Sequence, residues 1–302
     1  MNRQIVSLGF LFFLLFVPMA CAWGQVTAPG AKVEKLAGNF SFTEGPTVDR
    51  LGNVYFTDQP NNLILKWSVD GVLTTFTTNS GRANGLYFDR SGNLLSCSDM
   101  DNEIWSFDPQ GNTSVLVDGY NGTKLNGPND LWVAPDGGVY FTDPLYKREY
   151  WLRDPAMQQD GEHVYYLSPD RKVLRRVASD LEKPNGIIGT PDGKFLYVAD
   201  IKGGKTYMYA ISSDGSLCDK RLFVEMGSDG MTIDTEGNVY LTGKGVTVFN
   251  KKGELIEHIP VVADWTANVC FGGKDMRTLF ITASQNFYQI RMRVGGVVNS
   301  DI

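Results

Sequence analysis

Six side chains that carry an oxygen donor recur along the sequence at equivalent points of a repeated pattern. They are Glu44, Asn84, Asn129, Asn185, Asp229 and Asn268, separated in turn by 40, 45, 56, 44 and 39 residues. Each stands just before a run of β-prone residues. Carboxylate and amide oxygens are ligands that hard cations such as calcium prefer, and two carboxylates balance the charge of one dication. If the fold brings them together, these side chains predict a divalent-cation site.

The repeat that carries these side chains is most complete between Leu125 and Pro144. It combines a Pro-Asn-Asp turn, a short apolar run, a Pro-Asp-Gly-Gly turn and an alternating strand. Five related copies begin at Thr43, Ala83, Pro184, Ser228 and Ala267. A repeat of roughly forty residues with about four short strands is typical of a β-propeller blade. We therefore predict an all-β fold, a single six-bladed β-propeller over residues 23–302 with a central metal site.

The six-bladed arrangement would place the repeated oxygen donors around one axis. The first strand of each blade lines the central channel, so equivalent positions lie at one level and point inward. Calcium fits this oxygen-only set best, whereas zinc fits less well because no His or Cys occupies any of the six positions. Magnesium, manganese and zinc stay as alternatives. Turn chemistry alone also favours Asn and Asp before Gly, but Glu44 has no such role.

The N-terminal segment, residues 1–22, is predicted to be a secretory signal peptide. It has a basic residue, an apolar stretch at 5–17 and an Ala-Cys-Ala cleavage site at 20–22. The apolar stretch is too short to span a bilayer. We expect export to the periplasm or the medium. A lipoprotein acylated on Cys21 is the less favoured alternative, because Pro18 stands where an aliphatic residue is usual.

Charge and cysteine usage exclude some classes of partner and framework. The formal net charge is −6, which argues against nucleic acid and anionic membranes and suits a cation site. After the signal peptide only Cys97, Cys218 and Cys270 remain, an odd number without paired spacing. We therefore expect no disulfide framework, and no further segment that could span a membrane.

Two segments outside the repeats are predicted to have structural consequences. The longest step, between Asn129 and Asn185, holds surplus residues from Leu145 to Glu162. Long insertions in propellers often decorate the binding face, so this one is predicted to be a lid or wall, with a surface excursion as the alternative. Residues 33–37 precede the first copy and are predicted to complete the last blade as its outer strand.

A set of motifs in this order resembles the gluconolactonase and senescence-marker-protein (regucalcin) family. The motifs are TEGP at 43–46, LNGPNDL at 125–131, FTDP at 141–144, KPNGI at 183–187, SDGM at 228–231 and FGG at 271–273. The resemblance spans about Val33 to Met292. Such proteins are six-bladed propellers that hydrolyse lactones around one central divalent metal. The resemblance therefore implies a metal-dependent lactonase acting on a small lactone of a sugar acid.

Residue roles follow from this resemblance by position. It implies that Glu44, Asn129, Asn185 and Asp229 hold the metal. Asp229 is also the candidate general base, beside a metal that polarises the carbonyl and activates water. Regucalcin-like members place a substrate-binding Arg two residues before the second of these ligands, where this chain has Gly127. The identity of the lactone therefore stays open.

Further side chains are candidates for supporting roles. Candidate substrate-binding residues are Asn84, Asn268, Tyr146 and His163, the last also an alternative base. Asp143 and Asp200 are expected to support the ligand residues of their own blades, although repeated aspartates at strand ends also serve as turn formers. Two alternative functions remain: a non-catalytic exported propeller with a structural calcium, and a lactonase or phosphotriesterase with a non-sugar substrate.

Overall fold

Each copy of the sequence repeat folds into one four-stranded antiparallel sheet in the computed structural model, which describes residues 25–297. Six such sheets form the described part of the chain, which confirms the predicted all-β, six-bladed propeller. The first two strands of each blade are its most buried part. Val54–Asp58 and Val139–Asp143, for example, are buried at every residue. Both faces of each sheet pack on neighbouring blades, so alternation between apolar and polar residues is weakest there.

The strands of the first three blades, after β1 (Glu34–Gly38), are β2 (Thr43–Val48), β3 (Val54–Asp58), β4 (Leu63–Trp67), β5 (Leu73–Thr77), β6 (Ala83–Phe88), β7 (Leu94–Ser98), β8 (Glu103–Phe107), β9 (Thr113–Val117), β10 (Leu131–Val133), β11 (Val139–Asp143), β12 (His163–Leu167) and β13 (Leu174–Ala178). Those of the last three are β14 (Pro184–Gly189), β15 (Phe195–Asp200), β16 (Lys205–Ile211), β17 (Leu217–Val224), β18 (Met231–Ile233), β19 (Val239–Gly243), β20 (Gly245–Phe249), β21 (Leu255–Ile259), β22 (Thr266–Gly272), β23 (Thr278–Ala283) and β24 (Asn286–Arg291). A 3-10 turn at Gln59–Asn61 follows β3.

The propeller closes by pairing its first strand with its last. The sixth sheet has the order β1-β24-β23-β22, with Glu34 opposite Gln289 and Gly38 opposite Asn286. This confirms the prediction that the segment before the first copy supplies the outer strand of the last blade. The closure joins the two ends of the domain within one sheet, so an edge of β24 that would otherwise be open is covered.

The inner strands begin with the repeated oxygen donors. Glu44, Asn84 and Asn185 are second in β2, β6 and β14, not just before them as predicted, whereas Asn129 and Asp229 lie two residues ahead of β10 and β18. Strand pairing shifts register immediately around each of the first three positions. A bulge of this kind re-aims a side chain away from the regular pleat, and here it occurs at the channel.

The glycine that follows most of these residues is needed because neighbouring blades crowd together at the axis. A Cβ atom at Gly45 would lie 2.1 Å from the carbonyl oxygen of Asn84, and one at Gly186 would lie 2.8 Å from that of Asp229. Each contact is with the backbone of the next blade, which cannot move aside cheaply. Close packing between blades, and not turn chemistry alone, therefore explains the glycine.

Gly45→Ala is expected to destabilise the protein by about 2–4 kcal/mol, because a backbone clash adds to the cost of a left-handed residue. The matched control is Gly92→Ala, since Gly92 also has a positive φ, 82°, but no atom within 4 Å of the point where a methyl group would lie. The control should cost about 1 kcal/mol. Urea unfolding of both variants measures the difference. Equal losses would show that axial crowding is not what requires glycine.

The structure also bears on the cysteines and on membrane spans within the described residues. Cys97, Cys218 and Cys270 are free thiols, and the first and last of them are buried. Among residues 25–297 no helix is long and apolar enough to cross a bilayer. The predicted signal peptide, residues 1–22, lies outside the described residues.

Candidate active site

A cavity of about 170 Å³ opens where the inner strands begin. Five blades contribute to it through their first strands or the residues just before them, the fourth blade contributes Ile201, and the insertion after β11 adds one wall. The lining residues are Phe42, Glu44, Asn84, Asn129, Tyr146, Arg148, Ile201, Asp229 and Trp265. The structure thus brings four of the six repeated oxygen donors into one cavity at the propeller axis.

Two buried carboxylates face this cavity and influence each other. Glu44 is 3% exposed, and burial together with the charge of Asp229 raises its pKa well above the usual range. A hydrogen bond from the Gly45 amide, 3.0 Å long, and the charge of Arg148 act in the opposite direction. Burial also raises the pKa of Asp229. A cation beside the two acids would offset their mutual repulsion and favour the ionised form of both.

Asp229 is held by hydrogen bonds to both of its carboxylate oxygens. Asn185 Nδ2 donates to Oδ1 over 2.7 Å, and Trp265 Nε1 donates to Oδ2 over 2.6 Å. Asn185 Nδ2 also donates to the Tyr146 hydroxyl over 2.9 Å. With both amide hydrogens used, the carbonyl oxygen of Asn185 is buried without any hydrogen-bond partner. An orphaned acceptor of this kind is costly unless something else satisfies it.

The donor set fits a hard divalent cation. Glu44, Asn129, Asn185 and Asp229 offer two carboxylates and two amide oxygens, and the unpartnered oxygen of Asn185 is an unused ligand. Within residues 25–297, no group of three or more His, Cys, Asp or Glu side chains is placed to hold a metal. Among the residues that the structure describes, neither His nor Cys lines the cavity, and carboxylate and amide oxygens are the ligands that ions such as calcium and magnesium prefer.

The structure places two of the four candidate substrate-binding residues at the small cavity and two away from it. Asn84 and Tyr146 line the cavity. Asn268 instead donates through Nδ2 to Asp130 Oδ2 over 3.3 Å and lines a second, larger cavity. His163 is buried away from both cavities, with Nε2 2.9 Å from Asp160 Oδ1. The structure therefore gives neither Asn268 nor His163 a contact with the small cavity.

Asp130 is a channel carboxylate that sequence reasoning missed. It follows Asn129 where four of the other copies have glycine, and a Cβ at Gly85 would lie 2.6 Å from its Oδ1. Burial raises its pKa to about 7, while bonds from the Leu131 amide and Asn268 lower it. The sequence did offer a signal for Asp130, because a carboxylate stands there in place of the glycine of four other copies.

The larger cavity, about 460 Å³, lies toward the other end of the inner strands. Its walls are mainly the apolar later residues of those strands, such as Leu86, Ile187 and Ile233. Asp130 and Asn268 are at its inner side. Despite its size it lacks the Glu44–Asp229 pair, so the chemistry points to the smaller cavity.

The repeated aspartates at the ends of second strands mostly fix the loop that precedes an inner strand. Asp58 accepts from the amides of residues 41 and 42, Asp143 from those of 126 and 127, and Asp200 from those of 182 and 183. In each case the bonded amides lie two and three residues before one of the repeated oxygen donors. Asp143 and Asp200 thus support the positions of Asn129 and Asn185 through the backbone.

Asp99 departs from this pattern and binds the insertion instead. Its Oδ2 accepts from Trp151 Nε1 over 2.9 Å and from Gln59 Nε2 over 3.3 Å, and its Oδ1 accepts from Arg153 Nη2 over 3.4 Å. Arg153 also lies over the Trp151 ring. These contacts hold the insertion against the second blade, so that Tyr146 and its neighbours form a wall of the cavity.

Asp143→Asn is expected to destabilise the protein by about 1–3 kcal/mol, because an amide group would face one of the two backbone N–H donors. Burial raises the pKa of Asp143 to about 7, so the folded wild type binds more protons than the unfolded chain between about pH 4 and 7. Wild-type stability from this group therefore falls as pH rises through that window. The deficit of the variant, measured by thermal unfolding, should be larger at pH 5 than at pH 8. A pH-independent deficit would contradict this account.

Two cavity residues had no clear signal in the sequence. Trp265 lies just before β22, in the most degenerate copy of the repeat, and Arg148 belongs to the insertion, which has no counterpart in other blades. For Arg148 the one indication was that the insertion was predicted to lie on the binding face of its blade.

Fold and cavity together define a class: a six-bladed propeller with an acidic, amide-rich site on its axis. Residues 42–285 match the SMP-30/Gluconolactonase/LRE-like region family, and this chain belongs to that family. A gluconolactonase of Zymomonas mobilis is 31% identical over 93% of this chain and 86% of its own length.

Solved structures give the same result. A gluconolactonase of Xanthomonas campestris is 31% identical, with a TM-score of 0.82 over 88% of this chain and 91% of that one. A calcium-binding regucalcin of Agrobacterium tumefaciens has a TM-score of 0.73 over 90% of this chain and 96% of that one, at 18% identity. The last likeness bears on the fold alone.

Proposed function

We propose that this protein is a lactonase that opens the ring ester of a sugar-acid lactone with the help of one divalent cation. The observation that carries the proposal is the buried Glu44–Asp229 pair in an axial cavity beside the orphaned oxygen of Asn185. Membership of the gluconolactonase family, and relatives named for that activity, support the reaction class. A scaffold protein would have no need for two facing, buried acids at the mouth of a channel.

Glu44, Asn129, Asn185 and Asp229 would hold the cation. Calcium is the ion that best suits four oxygen donors with two charges, and magnesium, manganese and zinc are the alternatives. When bound, such an ion supplies Lewis-acid polarisation of a carbonyl and lowers the pKa of a water.

Asp229 is the residue that we assign to proton transfer. In hydrolysis a water oxygen bonds to the lactone carbonyl carbon, the ring C–O bond breaks, and the water's proton is delivered to the departing ring oxygen. A carboxylate at the cavity wall can accept that proton and return it. The bonds from Trp265 and Asn185 fix the orientation of Asp229 and act to lower its pKa, but burial has the larger effect and raises it. Asp229 is therefore a positioned base whose burial favours proton uptake.

Tyr146 and Asn84 are placed to bind the substrate. The Tyr146 hydroxyl accepts from Asn185, so its own proton remains available for an acceptor in the cavity. Asn84 also lines the cavity, and its side chain carries both an amide donor and a carbonyl acceptor. Polyhydroxylated lactones present matching groups at every ring carbon. A cavity of about 170 Å³ is of the size of a single small ring rather than of a chain of sugars.

Acid release from D-glucono-1,5-lactone tests the proposal. Purified protein supplied with calcium should release acid well above the spontaneous rate, and other single ions can be compared in parallel. Failure with glucono-, galactono- and xylonolactones under every ion would refute the sugar-lactone assignment.

We also propose that residues 1–22 are removed on export and that residues 23–302 act as a single propeller domain. The support is the cleavage-site pattern of the sequence. Mass spectrometry of the protein from its native host should give an N-terminus near Trp23. An intact Met1, or a lipid on Cys21, would contradict this proposal.

A further inference from the structure

We propose that Arg148 makes the cavity selective for lactones that carry a carboxylate, such as the lactones of sugar diacids. This inference rests on the proposed lactonase function and names its substrate class more narrowly. It concerns a residue of the insertion, outside the repeated pattern that supplies the acids and amides of the cavity.

Arg148 is oriented into the cavity but not satisfied within the protein. Its side chain is 27% exposed and lines the cavity together with Glu44 and Asp229. The guanidinium lies over the ring of Tyr146, 5.2 Å from the centroid, which fixes its direction. Its Nε atom is buried and has no hydrogen-bond partner. A buried donor without an acceptor is costly unless a ligand supplies one.

The nearest acid, Asp99, does not satisfy Arg148. Its Oδ2 lies 3.9 Å from Arg148 Nε, beyond hydrogen-bond distance. The Asp99 carboxylate already accepts from Trp151 and Arg153. Asp99 therefore anchors the insertion and leaves the guanidinium of Arg148 available to a ligand.

The charge balance around the cavity favours an anionic ligand. The charge of Arg148 acts on Glu44 and Asp229 as well as on Asp99, which also pairs with Arg153. Glu44 and Asp229 would offset one bound dication, so with that ion in place they would no longer offset the charge of Arg148. The other positively charged side chain beside Tyr146, Lys183, is paired with Glu162 over 3.3 Å.

A carboxylate is the group that matches this surplus charge best. A guanidinium presents parallel N–H donors in one plane, and a carboxylate accepts them in pairs, with a strength about twice that of neutral hydrogen bonds. A neutral hydroxyl would satisfy one donor and leave the charge uncompensated. The lactone of a diacid carries such a carboxylate at the end remote from the ring ester.

Paired substrates of the same ring size test the inference. We would measure kcat/KM for D-glucaro-1,4-lactone, which bears a carboxylate, and for neutral D-glucono-1,4-lactone. In the wild type the first should be preferred. Arg148→Met should lower kcat/KM for the acidic lactone on the order of 10- to 100-fold more than for the neutral one. Lys147→Met is the matched control, because it removes an equal charge from an exposed neighbour and should leave the ratio unchanged.

Binding of reaction products separates this inference from the proposed function. Calorimetry should show glucarate binding to the ion-loaded wild type more tightly than gluconate, with the preference lost in Arg148→Met but kept in Lys147→Met. Arg148-dependent glucarate binding without any lactone turnover would refute the lactonase proposal and keep the anion site. Good turnover with equal losses on both lactones would overturn the role of Arg148, as would the absence of both turnover and glucarate binding.

Discussion

Asp229→Asn is expected to lower kcat for lactone hydrolysis by about 10³-fold, within the range usual for loss of a general base. The amide keeps one oxygen near the cavity and can still accept from Trp265 or Asn185, which now hold the carboxylate. It cannot accept a proton at neutral pH. The loss should therefore fall on kcat, while the cation still binds, with reduced affinity. Steady-state kinetics with saturating cation measure the effect.

Asp130→Asn is the matched control for this variant. It makes the same chemical change in a buried channel carboxylate that lines the larger cavity and not the small one. We expect kcat to stay within about threefold of the wild type, because Asp130 has no route to a lactone in the small cavity. If Asp229→Asn kept most of its turnover with the cation bound, the base would have to be another group.

Glu44→Gln is expected to make the cation-free protein more stable by about 1–2 kcal/mol at pH 7.5. Burial and the charge of Asp229 raise the pKa of Glu44, so ionising it in the folded state is unfavourable. Above the unfolded pKa of about 4.3, this cost grows as pH rises toward the folded pKa. Gln carries no such cost and can still accept from the Gly45 amide. Its advantage should therefore shrink as pH falls toward 4.

Adding the cation should make the wild type more stable than Glu44→Gln. A ligand at 1,000 times its Kd adds about 4 kcal/mol to the stability of the folded state. The wild type should gain this stabilisation, and Glu44→Gln, with one ligand charge removed, should gain little. Thermal unfolding with and without calcium gives both comparisons. A cation-free variant less stable than the wild type would show that Glu44 is a structural residue instead of one held in a strained, charged site.

Strand positions within blades could be predicted closely because they depend on local signals. The sequence shows an alternating run after each copy of the hairpin, and in the first three blades these runs, Leu63–Trp67, Glu103–Phe107 and His163–Leu167, are β4, β8 and β12 with the same bounds. In the last three blades the bounds of the run and of the strand differ by one or two residues. Turn residues mark hairpin ends, and a period of two marks strands. The number of repeats then gave the number of blades, and the closing strand followed from the need to cover an edge.

The details of the site were less accessible because they depend on contacts between blades. The bulges at Glu44 and its equivalents, and the clash that requires Gly45, arise only when neighbouring strands meet at the axis. Asn268 occupies the same position of the repeat as Glu44. Its side-chain amide, however, donates a hydrogen bond to Asp130, from the opposite side of the channel. A repeat pattern predicts which side chains lie at the same level of the channel. It does not predict which of them line the same cavity.

The insertion between β11 and β12 also could be predicted only in part. Its length and aromatic content predicted a wall near the binding face, and Tyr146 does line the cavity. Trp151, however, is buried against Asp99. The positively charged side chain that lines the cavity is Arg148. A loop without periodicity gives no indication of which of its side chains point inward.

The central claim, a cation-dependent lactonase site on the propeller axis, is tested most directly by chelation and restoration. Purified wild-type protein would be stripped of divalent ions, assayed on D-glucono-1,5-lactone, and assayed again after calcium, magnesium, manganese or zinc is added singly. We predict that hydrolysis falls to the spontaneous rate on chelation and returns with one or more ions, calcium first, but never in Glu44→Gln. Full hydrolysis by the stripped protein would contradict the claim.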